Sequence, residues 1–355
     1  MISGSDIYNE AISLLKKLIT TPSLSGNEEN SAKLIGEHLE RHGINCTYCK
    51  NNVWALNEHF DPNLPTLLLN SHHDTVEPSN GYTLDPFTPL IIDGKLFGLG
   101  SNDAGAALVS LIAIFKHYYQ EKNLPYNLAL ACTAEEEISG QNGIVATLPK
   151  LPPITAAIIG EPTGMEMAVA EKGLMVLECV SHGKSGHAAR DEGENALYKA
   201  LDDIQWLRSY AFEEVSELLG PVKMTTTIIT AGSQHNVVPD RCQFTVDVRT
   251  TDKYTNDQVL EIIRSQISAD ISPRSLRLNP SSIHQDHPLV KAGVSIGLSS
   301  YGSPTLSDQS LISVPSLKLG PGLSARSHTP DEYVLLSEVK NGIDLYIQLL
   351  DQLLH

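Results

Sequence analysis

His72-His73-Asp74, the run Glu135-Glu136-Glu137, and the separate Asp103, Glu161 and His328 are the side chains best suited to hold a divalent metal. Imidazole and carboxylate are ordinary ligands of such ions, and they suit zinc without the redox liability of thiols. If strand alternation runs through the first cluster, residues 72 and 74 share a face. Asp74 can then hold the His72 ring while His73 points away. Adjacent glutamates also diverge, so one of the three can bind metal while its neighbour faces the water that the metal activates. Each cluster alone has a plainer reading: a solvated loop for His72–Asp74, and an exposed acidic helix start for the glutamates.

Their positions in the chain set them apart. Leu67-Leu68-Leu69 runs into the first cluster, and an apolar stretch over 128–132 runs into Thr133-Ala134 and the glutamates. Ala157-Ile158-Ile159 leads to Gly160-Glu161-Pro162-Thr163, and Leu317-Lys318-Leu319 leads to Gly320-Pro321-Gly322 and then His328. Asp103 lies just before an alanine- and leucine-rich helix over 104–119. In open α/β sheets, ligands bind beyond the carboxyl ends of the strands. Five candidate ligands therefore converge on one sheet edge from segments far apart in the chain.

The elements between them read as follows. Ile7, Ala11, Leu14, Leu15, Leu18 and Ile19 recur at helical spacing, and a second helix is expected over 28–43. Strands follow over 46–56, 65–70, 126–132 and 156–159. Near Met165 the pattern changes to strand 173–180, helix 195–210, strands 224–230 and 242–250, helix 256–269 and strand 274–278. That order, β-α-β-β-α-β, is the split arrangement of a ferredoxin-like sandwich. A helix over 288–299, a strand over 316–319 and a helix from Leu336 resume the first pattern. The expected fold is α/β. A mostly parallel sheet with helices on both faces spans 1–166 and 282–355, and a ferredoxin-like α+β domain is inserted over 167–281.

Composition narrows the partners. Forty-two acidic against 25 basic residues give a formal charge of −17 over 355 residues, which disfavours nucleic acid. No apolar run approaches membrane-spanning length, and the first 20 residues carry no uninterrupted apolar signal core. Five cysteines form no disulfide framework, so a cytoplasmic setting is expected. Cys46 and Cys49 form a lone C-x-x-C on an expected strand, without the second pair of a zinc site.

The segments SHHDTV, GLGSNDAGA, TAEEEISGQNG, IIGEPTG, GKSGHAAR, HNVVPDRC and GPGLSARSHTPDEY carry a resemblance along almost the whole chain. It is to the co-catalytic zinc deacylase and carboxypeptidase family. That family includes acetylornithine deacetylase, succinyl-diaminopimelate desuccinylase, aminoacylase and related di- and tripeptidases. The resemblance implies two zinc ions, for which cobalt can substitute. His72 and Glu161 would bind one, Glu137 and His328 the other, with Asp103 bridging and Asp74 behind His72. Glu136 would be the general base, and the Asp103-Ala104 peptide would be cis. The inserted domain would dimerise and bring His187 to the oxyanion of a partner subunit's site, while Asn236 and Arg249 would contact substrate. For Arg249 the other reading is a strand arginine paired with a neighbouring acid.

Thr133-Ala134, the GEPT segment and the Gly-Pro-Gly loop favour the acetylornithine-type members, and thus a small N-acyl amino acid such as N-acetylornithine. The alternatives are a succinyl- or acetyl-citrulline, -ornithine or -lysine deacylase, or a di- or tripeptidase. Two departures stand out. GSNDAGA replaces the Asp-Met-Lys-Gly run of many relatives, and Glu171-Lys172-Gly173 stands where desuccinylases carry an arginine pair. Arg326 lies beside His328, where it could receive a succinyl carboxylate or a ureido group; the other reading has it bonding loop carbonyls.

Overall fold

The computed structural model describes the chain from Gly4 to His355. It opens with α1 (Gly4–Ile19), α2 (Glu29–Arg41), β1 (Cys46–Cys49), β2 (Asn52–Leu56), β3 (Thr66–His72), β4 (Leu90–Ile92) and β5 (Lys95–Phe97). Next come α3 (Ala106–Tyr118), β6 (Asn127–Thr133), the one-turn α4 (Ile144–Thr147), β7 (Ala156–Ile159) and β8 (Met167–Glu171). The middle stretch is β9 (Gly173–His182), α5 (Ala196–Ser209), β10 (Lys223–Ala231), β11 (Arg241–Thr250), α6 (Asn256–Arg264) and β12 (Asp270–Pro273). The chain closes with β13 (Ser281–Ser282), α7 (Pro288–Ser295), β14 (Ser300–Ser303), β15 (Ser316–Lys318), β16 (Tyr333–Leu335) and α8 (Leu336–Leu354). Two compact units result. One holds the chain up to Val169, Ile283–Tyr301 and Ser307–His355; the other holds Ala170–Ser282 and Gly302–Leu306.

The first unit is built on the strands β1-β2-β6-β3-β7-β15 and the start of β8, in that order. Its central strands β6, β3, β7 and β15 are parallel, and the strands outside them pair antiparallel. Side-chain alternation divides the apolar residues between the two faces. Leu67, Leu69, Leu128, Leu130 and Ile158 join a core with α1, α2, α3, α7 and α8, while Leu68, Ala129, Ala131 and Ile159 join a smaller one with Ile144 and Ile312. Helix α3 is buried nearly all round, as its alanine- and leucine-rich text requires. Fixed on both faces, the parallel strands end at one edge, and their last residues lead into the candidate ligands.

Some details depart from the sequence reading. The strand expected over 46–56 is a hairpin, because Lys50 turns left-handed (φ 56) and Asn51 Nδ2 ties the turn to Glu28, just before α2, at 2.9 Å. The thiols of Cys46 and Cys49 then meet separate carbonyls, those of Gly36 and Ala146. A small sheet, β16-β5-β4, was not expected at all; its strands are only three residues long.

The second unit has the sheet order β10-β11-β9-β12 with every pair antiparallel, the ferredoxin-like arrangement. Alternate residues of β9 (Met175, Leu177, Cys179) and β11 (Cys242, Phe244, Val246, Val248) pack against α5 and α6. Helix α6 stops at Arg264, short of the expected 269. Asp203 of α5 accepts the backbone N–H groups of Ser268 and Ala269 at 2.9 and 3.0 Å, turning the chain out of the helix and into β12. The last strand of this sheet is therefore 270–273 and not 274–278.

Candidate metal centre

Strand β3 carries its ladder through to His72, which pairs with Thr133 of β6. The ring's Nδ1 meets the Asp74 carbonyl at 3.0 Å and its Oδ1 at 3.4 Å, leaving Nε2 to face the other candidates. Asp74 does more than orient the ring. Its carboxylate also accepts the backbone N–H of Glu136 (3.0 Å) and Glu137 (3.2 Å) and the Ser25 hydroxyl (2.7 Å). One fully buried acid thus ties the end of β3 to the turn after β6. His73 turns the other way, as alternation requires, and bonds Ser31 Oγ and the Asn51 carbonyl, each at 2.9 Å.

The three glutamates form a turn, not a helix start. Glu135 is left-handed (φ 55) and closes the loop on Asn142, accepting from its N–H at 2.9 Å and its Nδ2 at 2.8 Å. Glu136 and Glu137 point instead to the ligand cluster. Glu161 follows β7, where Gly320 lets the chain after β15 come close: a Cβ there would sit 2.5 Å from the Glu161 carbonyl oxygen. Asp103 lies in a tight turn before α3, and its peptide bond to Ala104 is cis.

These residues meet around one carboxylate. Asp103 Oδ1 lies 3.3 Å from His72 Nε2, and Oδ2 lies 3.6 Å from His328 Nε2. His72 Nε2 is also 3.9 Å from Glu136 Oε2 and 3.9 Å from Glu161 Oε1, while His328 Nε2 is 2.9 Å from Glu137 Oε2. Ligand atoms of His72, Asp103 and Glu137, and likewise of His72, Glu136 and Glu161, fall within 4.8 Å of one another.

Burial pushes the Glu136 carboxyl well above its usual range, opposed by His72 and reinforced by Glu161, Asp308 and Glu137. Burial likewise pushes Glu161 up to about 8. The hydrogen bond to Glu137 raises His328 to about 9. Burial works against a charged His72, yet Glu136, Asp103, Asp74 and Glu161 together raise its imidazole well above its ordinary value. Buried carboxylates outnumber the cations among them, and Glu161 Oε1 is buried without a hydrogen-bond partner. A set of nitrogen and oxygen donors with surplus negative charge fits divalent cations, which would take the place of these protons.

The Peptidase family M20/M25/M40 model matches residues 68–352, spanning every one of these residues. The chain belongs to that family. It is accordingly a metal-dependent amidohydrolase. Succinyl-diaminopimelate desuccinylase 2 of Ruegeria sp. (strain TM1040) is 28% identical over 273 residues, covering 71% of this chain and 68% of that protein. Among solved structures, aminopeptidase PepT from Bacillus cereus ATCC 10987 superposes with a TM-score of 0.78 at 18% identity, covering 98% of each chain. The Bacillus subtilis YXEP protein, described as a dinuclear metal binding peptidase from the M20 family, gives 0.73 at 17% identity, covering 97% of this chain and 98% of that one.

The remaining expected residues lie as follows. His187 and Asn236 are exposed on two paired segments of the second unit: His187 bridges Val237, and Ala188 N–H donates to the Asn236 carbonyl at 3.0 Å. Arg249 forks onto Asp247 two residues back in β11, at 2.8 and 3.0 Å, which is the neighbour-paired arrangement. Arg326 likewise has a partner within the chain. Its guanidinium is held by both oxygens of Glu338 at 2.7 and 3.0 Å, with the Tyr333 ring 4.6 Å beneath. The fork therefore meets a carboxylate at the start of α8.

Sequence reasoning missed three buried charges. Asp308 accepts the Thr133 hydroxyl at 2.8 Å and adds negative charge beside Glu136. Lys318, buried on β15, draws the Glu161 carboxyl downward. Glu332 sits in the HTPDEY segment four residues after His328, and its buried carboxylate accepts backbone N–H groups around Asp103. A buried lysine facing the acids could have been sought in Leu317-Lys318-Leu319, since a charged residue inside an apolar strand needs a partner.

Proposed function

We propose that this chain hydrolyses the amide bond of a small N-acyl amino acid. The supporting observation is the Asp103 carboxylate, which turns one oxygen to His72 and the other to His328. On this reading His72 and Glu161 hold one ion, Glu137 and His328 the other, with Asp103 shared. The metal is zinc, with cobalt able to replace it, since the donors are imidazole and carboxylate. When bound, such a pair supplies the Lewis acidity that acidifies water and polarises an amide carbonyl. Glu136 takes the proton of the attacking water and returns it to the leaving amine. Its raised basicity, caused first by burial, suits that task. Asp74 fixes both His72 and the Glu136–Glu137 turn, so base and ligands keep one spacing.

The inserted domain, taken as 167–281, is read as a dimerisation and lid domain. Strand β10 lies at its sheet edge with Ile228 and Ile229 exposed, and Tyr198 and Leu201 are exposed on α5. A second copy covering that surface would bring His187 to the partner subunit's site, where it donates to the oxyanion. Asn236 and Arg249 contact the substrate, Arg249 by exchanging Asp247 for the substrate's carboxylate. The setting is the cytoplasm, where the five free thiols stay reduced. Among the described residues no helix is long and apolar enough to cross a membrane.

N-Acetylornithine is the first substrate to try. A succinylated substrate is the second reading, favoured by the desuccinylase relative and by a group of cations in the second unit. Lys223 pairs with Arg249 across β10 and β11, and Lys172, which donates to the Pro221 carbonyl at 3.2 Å, is lowered by burial and then by both of them. The test offers N-acetylornithine, N-succinylornithine, N-acetylcitrulline and a dipeptide panel to zinc-loaded protein. Faster turnover of unblocked peptides overturns the deacylase reading. Preference for the succinyl compound selects the second reading over the first.

A further inference from the structure

The turn that carries Asp103 has little regular structure, so its backbone N–H groups need acceptors from elsewhere. One side chain provides three. Glu332 Oε1 accepts the N–H of Asn102 at 2.8 Å and of Asp103 at 2.9 Å, and Oε2 accepts that of Gly100 at 3.1 Å. The Glu332 backbone carbonyl adds Gly98 N–H at 3.0 Å. The carboxylate is 2% exposed, and hydrogen bonds to a buried anion of this kind are among the stronger ones.

The turn also reaches back. Asn102 Oδ1 accepts Leu323 N–H at 2.9 Å, and its Nδ2 donates to the Leu323 carbonyl at 3.1 Å and to Ser327 Oγ at 3.4 Å. Ser327 in turn donates to the Asp103 carboxylate. Gly322 leaves room for this: a Cβ there would lie 2.5 Å from Asn102 Oδ1. The segment holding His328 therefore grips the Asp103 turn through Glu332, and that turn grips the His328 segment through Asn102.

We infer that Glu332 and Asn102 are positioning residues, a two-way clasp that sets Asp103 against His328 and so the affinity of that ligand pair for metal. The inference rests on the two-ion reading above, and it assigns neither residue to the reacting atoms. Both ligands sit on loops, and His328 takes a left-handed backbone (φ 59), a conformation that surrounding contacts must hold. Without the clasp the loops would keep their ligands but lose the spacing.

The experiment titrates Co2+ into metal-free wild type, Glu332→Gln, Glu332→Ala and Asn102→Ala. It reads bound stoichiometry and the visible cobalt absorption, with circular dichroism as the check on folding. Wild type binds two ions. In Glu332→Ala and Asn102→Ala the first ion binds as in wild type, and the second binds about 10- to 100-fold more weakly with an altered band. Glu332→Gln falls between, because its amide oxygen still accepts the Asn102 and Asp103 N–H groups. A general loss of stability would weaken both ions alike, and that result overturns the inference. So does a folded Glu332→Ala or Asn102→Ala with wild-type affinity for both ions. If Glu332→Ala does not fold, Glu332→Gln and Asn102→Ala decide by the same criteria. Wild type binding fewer than two ions overturns the two-ion reading itself.

Discussion

His72 and His328 flank the same carboxylate, but they are supported in different ways. His72 ends a buried strand, its side chain is 1% exposed, and both ring nitrogens are engaged. His328 sits on a loop with a left-handed backbone, and its side chain is 54% exposed. One flank is held by the sheet and by Asp74; the other depends on loop-to-loop contacts. The difference separates what the fold supplies from what local contacts must add. A ligand at the end of a central parallel strand inherits the rigidity of the core, and a loop ligand has to be braced.

The largest expected effect tests the buried flank. Glu136 lies as close to His72 as Glu161 does, so geometry alone allows it to be a ligand. If it is the base, Glu136→Gln keeps both ions and lowers kcat by about 10²- to 10⁴-fold. Elemental analysis showing one ion lost would place Glu136 among the ligands and redraw that flank. Next in size is His187→Ala, expected to lower kcat by about 10²- to 10³-fold with metal content unchanged. Loss of zinc from that variant would remove His187 from the oxyanion role.

The flanks themselves are compared by Asp74→Ala and His328→Ala. Removing Asp74 frees the His72 ring and the Glu136–Glu137 turn together, so affinity for metal should drop about 10- to 100-fold. His328→Ala should retain one ion per chain, bound about as tightly as in wild type. Chelation of wild type should release one ion before the other, and simultaneous release would mean that the two flanks act as a unit.

The smallest effect lies away from the site. Burial, then His42, Arg41 and Lys17, lowers the His38 imidazole to about 4. Its folded value is below the unfolded one near 6.5, so the neutral ring stabilises the fold above that pH. That contribution is lost as pH falls from about 6.5 through 4. Wild type should therefore lose more Tm across this window than His38→Gln, by a few degrees, and parallel pH profiles would show that His38 contributes nothing.

Much of this was legible in the text of the chain. Apolar runs such as Leu67-Leu68-Leu69 announce buried strands, and a chemical cluster after each run places candidate ligands at one sheet edge. Alternation alone separates His72 from His73. The short strands β4, β5 and β16 were not legible, because three residues cannot display a period. Nor was the end of α6, set by Asp203 more than sixty residues earlier.

The sequence by itself determined the donor types, their order on the strands and the α/β pattern with its inserted unit, because all of these follow from local periodicity and residue chemistry. Only the tertiary structure decided that Asp103 divides its oxygens between two histidines, that Asp74 serves a strand and a turn at once, and that Arg326 is held by Glu338. It also decided that Glu332 braces the Asp103 turn from 229 residues away. Such pairings join backbone and side-chain groups distant in the chain, and they arise only when packing brings those groups within hydrogen-bond reach.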